Sequence, residues 1–126
     1  MLNRLFDDPL GYSERHQTAQ VALLGQTLRR ARNLVESWDG QLLFVILPSW
    51  DFAVRGFDRR RRVVNATLAA ADTAGVETRN LGPSFRQQPD PAGAFVYPGS
   101  HYSEARHRLV ADEVLKQIAS QRIASE

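Results

Sequence analysis

Residues 42–47 read LLFVIL, and Pro48 follows them directly. Six apolar residues without polar alternation, among them β-branched and aromatic types, are typical of a strand covered on both faces. Such strands belong to parallel sheets that carry helices on each side. The stretch therefore predicts the α/β class, with a strand over residues 42–47 inside a parallel sheet.

Two helices and a second strand are predicted around this stretch. One apolar stripe marks a helix over residues 13–38, with members at three- and four-residue steps: Val21, Leu24, Leu28, Ala31, Val35 and Trp38. A second helix is predicted over residues 58–74, with Asp58 as its N-cap and Gly75 as its stop. Residues 76–81 are a shorter, more polar strand. Strand, helix and strand in that order predict a right-handed βαβ crossover.

The C-terminal third is predicted to be a loop followed by a helix. Residues 82–93 hold three prolines and form a turn-rich loop, and residues 94–97 form a short extended piece. Ser103 is the predicted cap of the last helix. Its apolar residues recur at helical spacing: Val110, Ala111, Val114, Leu115 and Ile118.

The strand over residues 42–47 has only one predicted neighbour in this sequence. Its other edge would be unpaired, and unpaired edges recruit partners. We therefore expect either a homodimer or an N-terminal half outside this sequence to cover that edge.

Length and composition limit the possible classes of protein. At 126 residues, the chain fits one domain over residues 1–126. The hydrophobic fraction of 43% is that of a globular protein. No apolar run is long enough to span a membrane, and the first eight residues lack the apolar core of a signal peptide. The compartment stays open.

Cysteine content and charge limit the kinds of site that the chain can carry. The chain has no cysteine, which excludes disulfides, thiolate metal sites and a cysteine nucleophile. No cofactor is predicted. The net charge is +2, and the densest basic run is the four arginines of residues 59–62. Four successive helical residues spread around the helix, so we interpret them as a solvated first turn and predict no nucleic-acid binding.

The most distinctive segment is residues 97–114, YPGSHYSEARHRLVADEV. It places His101 in a loop just before a helix, after the last strand of a parallel sheet. Ligands of such sheets bind beyond the carboxyl ends of the strands. A histidine there is suited to act as a general base.

This segment resembles the C-terminal block of the SGNH (GDSL-type) hydrolases and their acetyltransferase-like relatives. That block has the form Asp-x-x-His, followed by a capped helix that often reads Gly-His-Arg-Leu-Val-Ala. His101 matches the catalytic histidine, and residues 107–111 (HRLVA) match the helix. Residues 42–49 look like the penultimate strand of that fold, and residues 76–91 look like its last strand and the following loop.

The resemblance implies a fold and an activity. The fold would be a partial flavodoxin-like, three-layer unit: the C-terminal half of an SGNH domain, with a short parallel sheet flanked by helices. The activity would be that of an esterase or O-acyl (acetyl) transferase with His101 as catalytic base. Its substrate would be an ester-bearing small molecule, carbohydrate or lipid-like ester.

The departures from the family pattern concern the catalytic groups. Pro98 stands in place of the block's Asp, and Arg106 in place of its usual Gly. The Gly-Asp-Ser nucleophile block, the oxyanion Gly and the Gly-x-Asn-Asp block are missing. We therefore expect the chain to be inactive alone, or to depend on a partner that supplies the serine. With such a partner, a backbone carbonyl could hold the imidazole of His101 in place of the missing Asp. The competing hypothesis is a non-catalytic dimeric module, derived from a hydrolase fold, that binds a ligand or a protein.

Other candidate groups have simpler interpretations. Ser49, Asp51 and His101 would make a triad, but LPSWD lacks the glycines of a nucleophile elbow, so Ser49 is predicted to be a turn or cap residue. His107 is predicted to lie on the surface or to contact the residues that surround the site. A metal held by His101, His107 and Glu104 is not expected.

The last histidine and the aromatic residues on the loops are the remaining candidates for functional residues. His16 is predicted to lie on the surface. Seven aromatic residues on the loops would either line a substrate cleft or pack beneath the loops: Trp50, Phe52, Phe57, Phe85, Phe95, Tyr97 and Tyr102.

Overall fold

The structure is a computed structural model that describes residues 12–56 and 61–124, with side chains from residue 15 onward. Helices α1 to α4 and strands β1 and β2 follow one another along the chain: α1 (Tyr12–Glu36), β1 (Leu43–Ile46), α2 (Arg61–Thr73), β2 (Glu77–Asn80), α3 (Gly82–Arg86) and α4 (Glu104–Ala124). A π-helical turn, Asp51–Arg55, and a 3₁₀ turn, Ala92–Ala94, complete the described elements. No helix among the described residues is long and apolar enough to cross a membrane.

Strands β1 and β2 form a two-stranded parallel sheet, and α2 connects them. The prediction of an α/β chain with a short parallel sheet is compatible with this arrangement. β1 is shorter than predicted, and each of its four residues keeps part of its solvent exposure. The complete burial predicted for both faces is therefore reached only in part, although Phe44 and Val45 each pack against a core. Because β2 pairs with one edge of β1 and no other described strand pairs with the second edge, the side chains of β1 have strand neighbours on one side only.

The chain contacts divide the molecule into two compact units, each with its own core. The first contains described residues 12–44 and 61–79, and the second contains residues 45–56 and 80–124. The prediction of one domain over residues 1–126 stays a prediction.

The core of the first unit lies between α1 and α2. Its buried residues are Leu28, Ala71, Ala74 and Val76, with Leu24, Leu42 and Phe44 packed against them. A Cβ added to Gly25 would lie 3.7 Å from the Ala70 Cβ, an ordinary contact distance. The predicted helix is confirmed except at its end. Trp38 is 68% exposed because the helix stops at Glu36 and Trp38 lies in the following turn.

The end of α2 is fixed by Gly75 and by a side chain of α1. Gly75 adopts a left-handed conformation, with φ of +69°, and the Val76 N–H donates to the Ala71 carbonyl at 3.0 Å. Arg32 Nη1 donates to the Ala74 carbonyl at 2.6 Å. Gly75 as the stop of this helix is therefore confirmed.

The start of α2 is described only in part. Arg61 and Arg62 are exposed there, whereas Arg59, Arg60 and the predicted cap Asp58 lie outside the described residues.

The second unit has an aromatic core. Its buried residues are Ala53, Leu81, Phe85, Ala94 and Phe95, with Val45, Trp50, Tyr102, Leu109 and Val110 packed against them. Part of the predicted stripe on α4 is not covered, since Leu115 is 62% exposed and Ile118 39%.

Helix α3 lies where a loop was predicted. At the start of the helix, the Gly82 N–H donates a hydrogen bond to Asn80 Oδ1 at 2.9 Å. Pro83 occupies its first turn, where the missing N–H costs nothing. Phe85 buries its whole side chain from this helix. One turn of helix stabilised by a tertiary contact leaves too short a periodic pattern to be recognised in the sequence.

Candidate functional site

His101 lies in a loop that folds back on itself before α4. We call residues 90–103 the His101 loop. Phe95 and Tyr102 form an isolated antiparallel bridge, and the Val96 N–H donates to the His101 carbonyl at 3.0 Å. The backbone of His101 is thereby paired across the loop, while its side chain is exposed.

The tip of the His101 loop is a turn braced by Ser100. The Ser100 hydroxyl donates to the Tyr97 carbonyl at 2.6 Å and accepts from the Tyr97 N–H at 2.8 Å. Gly99 takes a φ of +75°, which a side-chain-bearing residue rarely adopts. The hydroxyl of the serine next to His101 is therefore engaged in the turn, not directed at the imidazole.

Ser103 joins the end of the loop to α4. Its carbonyl accepts from the Arg106 and His107 N–H groups at 3.0 and 3.1 Å, as expected of the residue before a helix. Its hydroxyl, however, donates to the Gly93 carbonyl at 2.7 Å, and its N–H donates to the Ala94 carbonyl at 2.8 Å. Ser103 thus occupies the predicted cap position, but its side chain closes the loop instead of capping the helix.

Tyr102 fastens the His101 loop to the end of β1. Its ring lies between Phe85 and Phe95, with centroid distances of 5.3 and 5.1 Å. Its hydroxyl donates a hydrogen bond to the carbonyl of Pro48, two residues beyond β1. Burial raises the pKa of the Tyr102 hydroxyl because it disfavours the phenolate. The residue that follows His101 is therefore anchored at the carboxyl end of a parallel strand.

The imidazole of His101 is not oriented by another described residue. None of the described residues forms a hydrogen bond with its ring nitrogens. Pro98, the residue that the resemblance aligns with a family carboxylate, is exposed. The backbone carbonyl expected to orient the imidazole is not found among the described residues.

Ser49 has the turn role that the sequence predicts. Its hydroxyl accepts from the Phe52 N–H at 3.3 Å, and its carbonyl accepts from the Ala53 N–H at 3.0 Å. Asp51 lies 3.9 Å from Arg55 across one turn. In the part of the chain that is described, the structure does not bring these two side chains into hydrogen-bond contact with His101.

The other histidines lie on the surface, as predicted. His107 is exposed, and its ring stands edge-on to Tyr102 at a centroid distance of 6.3 Å. Glu104 pairs with Arg108 at 3.4 Å. His16 is exposed on α1. Within residues 12–56 and 61–124, no group of three His, Asp or Glu side chains is placed to hold a metal ion.

Most of the loop aromatics serve packing. Phe85 and Phe95 are buried, and Trp50 and Tyr102 pack against the same core. Arg86 Nη1 donates to the Phe52 carbonyl at 3.0 Å, and its guanidinium lies 5.9 Å from the Phe52 ring. Among the loop aromatics that the structure describes, Tyr97 is the one that is largely exposed, at 65%. Phe57 lies outside the described residues.

Arg106 is a buried residue whose role the sequence did not predict. It is 7% exposed, donates from Nη2 to the Asp90 carbonyl and lies over Phe85. The available signal was its helical register, because Arg106 precedes Leu109 and Val110 by one turn and shares their inward face.

Comparison of the chain with protein-family models, with curated proteins and with solved structures found no match. The interpretation of His101 therefore depends on its position in the fold and on the residues around it.

Proposed function

We propose that this chain is the histidine-bearing C-terminal portion of an SGNH-like esterase or O-acyl (acetyl) transferase. The complete sheet would be flavodoxin-like, and β1 and β2 would be two of its parallel strands. His101 would be the general base. The substrate would be an ester of a small molecule, a carbohydrate or a lipid.

The observation that supports this proposal most is the hydrogen bond between Tyr102 and Pro48. It holds the residue next to His101 at the carboxyl end of β1, where parallel α/β sheets bind their ligands. The exposed imidazole leaves a ring nitrogen available to a hydroxyl group from another segment. A general base needs this combination of a fixed backbone and an accessible nitrogen.

The proposed reaction requires a serine that this sequence does not supply. His101 would accept the proton of that serine hydroxyl while the serine oxygen forms a bond to the acyl carbon. The same proton would then pass to the departing alcohol as its ester bond breaks. Water, or an acceptor hydroxyl, would repeat the two steps and release the acyl group. Because Ser49 and Ser100 are engaged in turns, neither is available for this role.

The experiment begins with the coding sequence upstream of Met1. We expect this upstream sequence to encode a Gly-Asp-Ser block in frame. The polypeptide extended through that block should hydrolyse p-nitrophenyl acetate. His101→Gln should lower kcat by about 100-fold or more, the usual contribution of a general base. His107→Gln is the matched control, since His107 is an exposed histidine six residues away, and its activity should be unchanged. Absence of the block, or full activity in His101→Gln, would contradict the proposal.

A second candidate function is a non-catalytic module that dimerises through β1. It is favoured by the unpaired edge of β1 among the described strands and by the partial exposure of its residues. An edge of this kind pairs readily with a second copy. Leu47, 41% exposed, directly follows the strand.

Sedimentation of the 126-residue chain separates the two candidates. If the chain is a dimer paired through β1, Leu47→Lys should dissociate it because a charge blocks edge pairing. Leu115→Lys, which changes an exposed leucine on α4, should leave the dimer intact. A monomeric wild-type chain would rule out this second function.

A further inference from the structure

Arg106 is a buried cation without a carboxylate partner among the described residues. It lies in the first turn of α4 and is 7% exposed. Removing a guanidinium from water is costly unless other contacts compensate for the lost hydration. The contacts that surround Arg106 therefore indicate what holds it in place.

Two contacts hold the guanidinium group. Nη2 donates a hydrogen bond to the backbone carbonyl of Asp90, and the group lies 5.9 Å from the centre of the Phe85 ring. Nε is buried and has no hydrogen-bond partner among the residues that the structure describes. A planar guanidinium can lie over a ring and donate from its edge at the same time, which an ammonium group does less well.

The contact with Asp90 places Arg106 at the start of the His101 loop. Asp90 is the first residue of that loop, and its carboxylate accepts from the Gly93 N–H at 3.1 Å. Ser103 closes the other end through its bonds to Gly93 and Ala94. Arg106 in the first turn of α4 and Ser103, the residue before α4, therefore fasten the two ends of the loop, and His101 lies between them.

We propose that Arg106 is a positioning residue, which sets the conformation of the His101 loop by holding the Asp90 carbonyl against the first turn of α4. Its importance for catalysis rests on the proposed function of His101, because its guanidinium contacts Asp90 and Phe85 and acts on His101 through the loop. The structural effect exists in the chain without any substrate and can be measured there.

Amide hydrogen exchange in the 126-residue chain tests this inference. The Val96 and Ser103 N–H groups form hydrogen bonds within the loop, to His101 and Ala94, whereas the Leu81 N–H bonds to Ile46 next to the sheet. In Arg106→Met, which keeps a long buried side chain, we expect Val96 and Ser103 to exchange about tenfold faster or more, as for loss of a hydrogen bond from a charged donor. The exchange of Leu81 should stay unchanged.

Arg106→Lys and Arg108→Met complete the experiment. Arg106→Lys keeps a charged donor and should restore part of the protection of Val96 and Ser103 against exchange. If Arg106→Met does not fold, the exchange rates of Arg106→Lys test the inference instead. Arg108 is an exposed arginine on the same helix and should have no effect when changed to Met. Unchanged exchange at Val96 and Ser103 would overturn the inference, as would equal acceleration at Leu81, which indicates a general loss of stability. None of these readouts depends on esterase activity, so failure of the proposed function would not be mistaken for failure of this inference.

Discussion

The Tyr102 hydroxyl donates a hydrogen bond to the Pro48 carbonyl and so joins the His101 loop to the chain that leaves β1. The two residues are 54 positions apart in the sequence. Pro48 is buried, so its carbonyl has little access to water. A buried carbonyl without a donor is costly. This bond is therefore expected to stabilise the second unit as well as to place His101.

Tyr102→Phe should lower the free energy of unfolding by about 1–2 kcal/mol, because the ring stays packed but the Pro48 carbonyl loses its donor. Tyr97→Phe is the control, since the Tyr97 ring is 65% exposed. Urea unfolding followed by circular dichroism measures both. Equal stability of the two variants would show that the Tyr102 bond contributes nothing.

The raised pKa of Tyr102 predicts a loss of stability in alkaline solution. The folded state holds the phenol proton more tightly than the unfolded state, whose pKa lies near 10.0. Its contribution is therefore fully present below that pH and is lost as the pH rises through the folded-state value. Unfolding midpoints measured from pH 8 upward should fall more steeply for the wild type than for Tyr102→Phe. Parallel curves would contradict this assignment.

Gly75→Ala should destabilise the first unit. The residue adopts a φ of +69°, and an added Cβ would collide with the Arg32 guanidinium that caps α2. The left-handed conformation alone costs a residue with a side chain about 1–2 kcal/mol. Thermal unfolding should show a lower midpoint. An unchanged midpoint would mean that Gly75 is not needed to end α2.

Gly25→Ala should have the opposite effect in the same unit. Gly25 lies inside α1, and the nearest side-chain atom to an added Cβ would be the Ala70 Cβ at 3.7 Å, so the methyl group fits. Alanine is favoured over glycine inside a helix by about 1 kcal/mol. We expect the unfolding midpoint to rise, and a lower midpoint would show that α1 and α2 leave no room for a methyl group at Gly25.

The sequence predicted elements that local patterns determine. The long apolar repeat of α1, the apolar run of β1 and the stop at Gly75 were each recognised without the structure. The bond from Arg106 to Asp90 and the bond from Tyr102 to Pro48 were not. Both connect residues that lie far apart in the chain, and no periodicity records such a pairing.

In the candidate site, too, some features follow from local sequence and others depend on the folded structure. Residue type and loop position were enough to select His101 and to interpret Ser49 as a turn residue. The engagement of the Ser100 hydroxyl by Tyr97 could not be predicted, because it depends on the φ and ψ angles of one turn. The unpaired second edge of β1 was predicted, but the partial exposure of its side chains was not, since an apolar strand has the same sequence whether its faces are fully or partly covered.

Chemical rescue tests the role of His101 most directly. In the polypeptide extended through the serine block, His101→Gly removes the proposed base and leaves a space beside the serine. We expect added imidazole to restore hydrolysis of 1-naphthyl acetate in a saturable manner, above the rate in imidazole buffer alone, and not to accelerate His107→Gly. Full activity of His101→Gly without imidazole would exclude His101 as the general base.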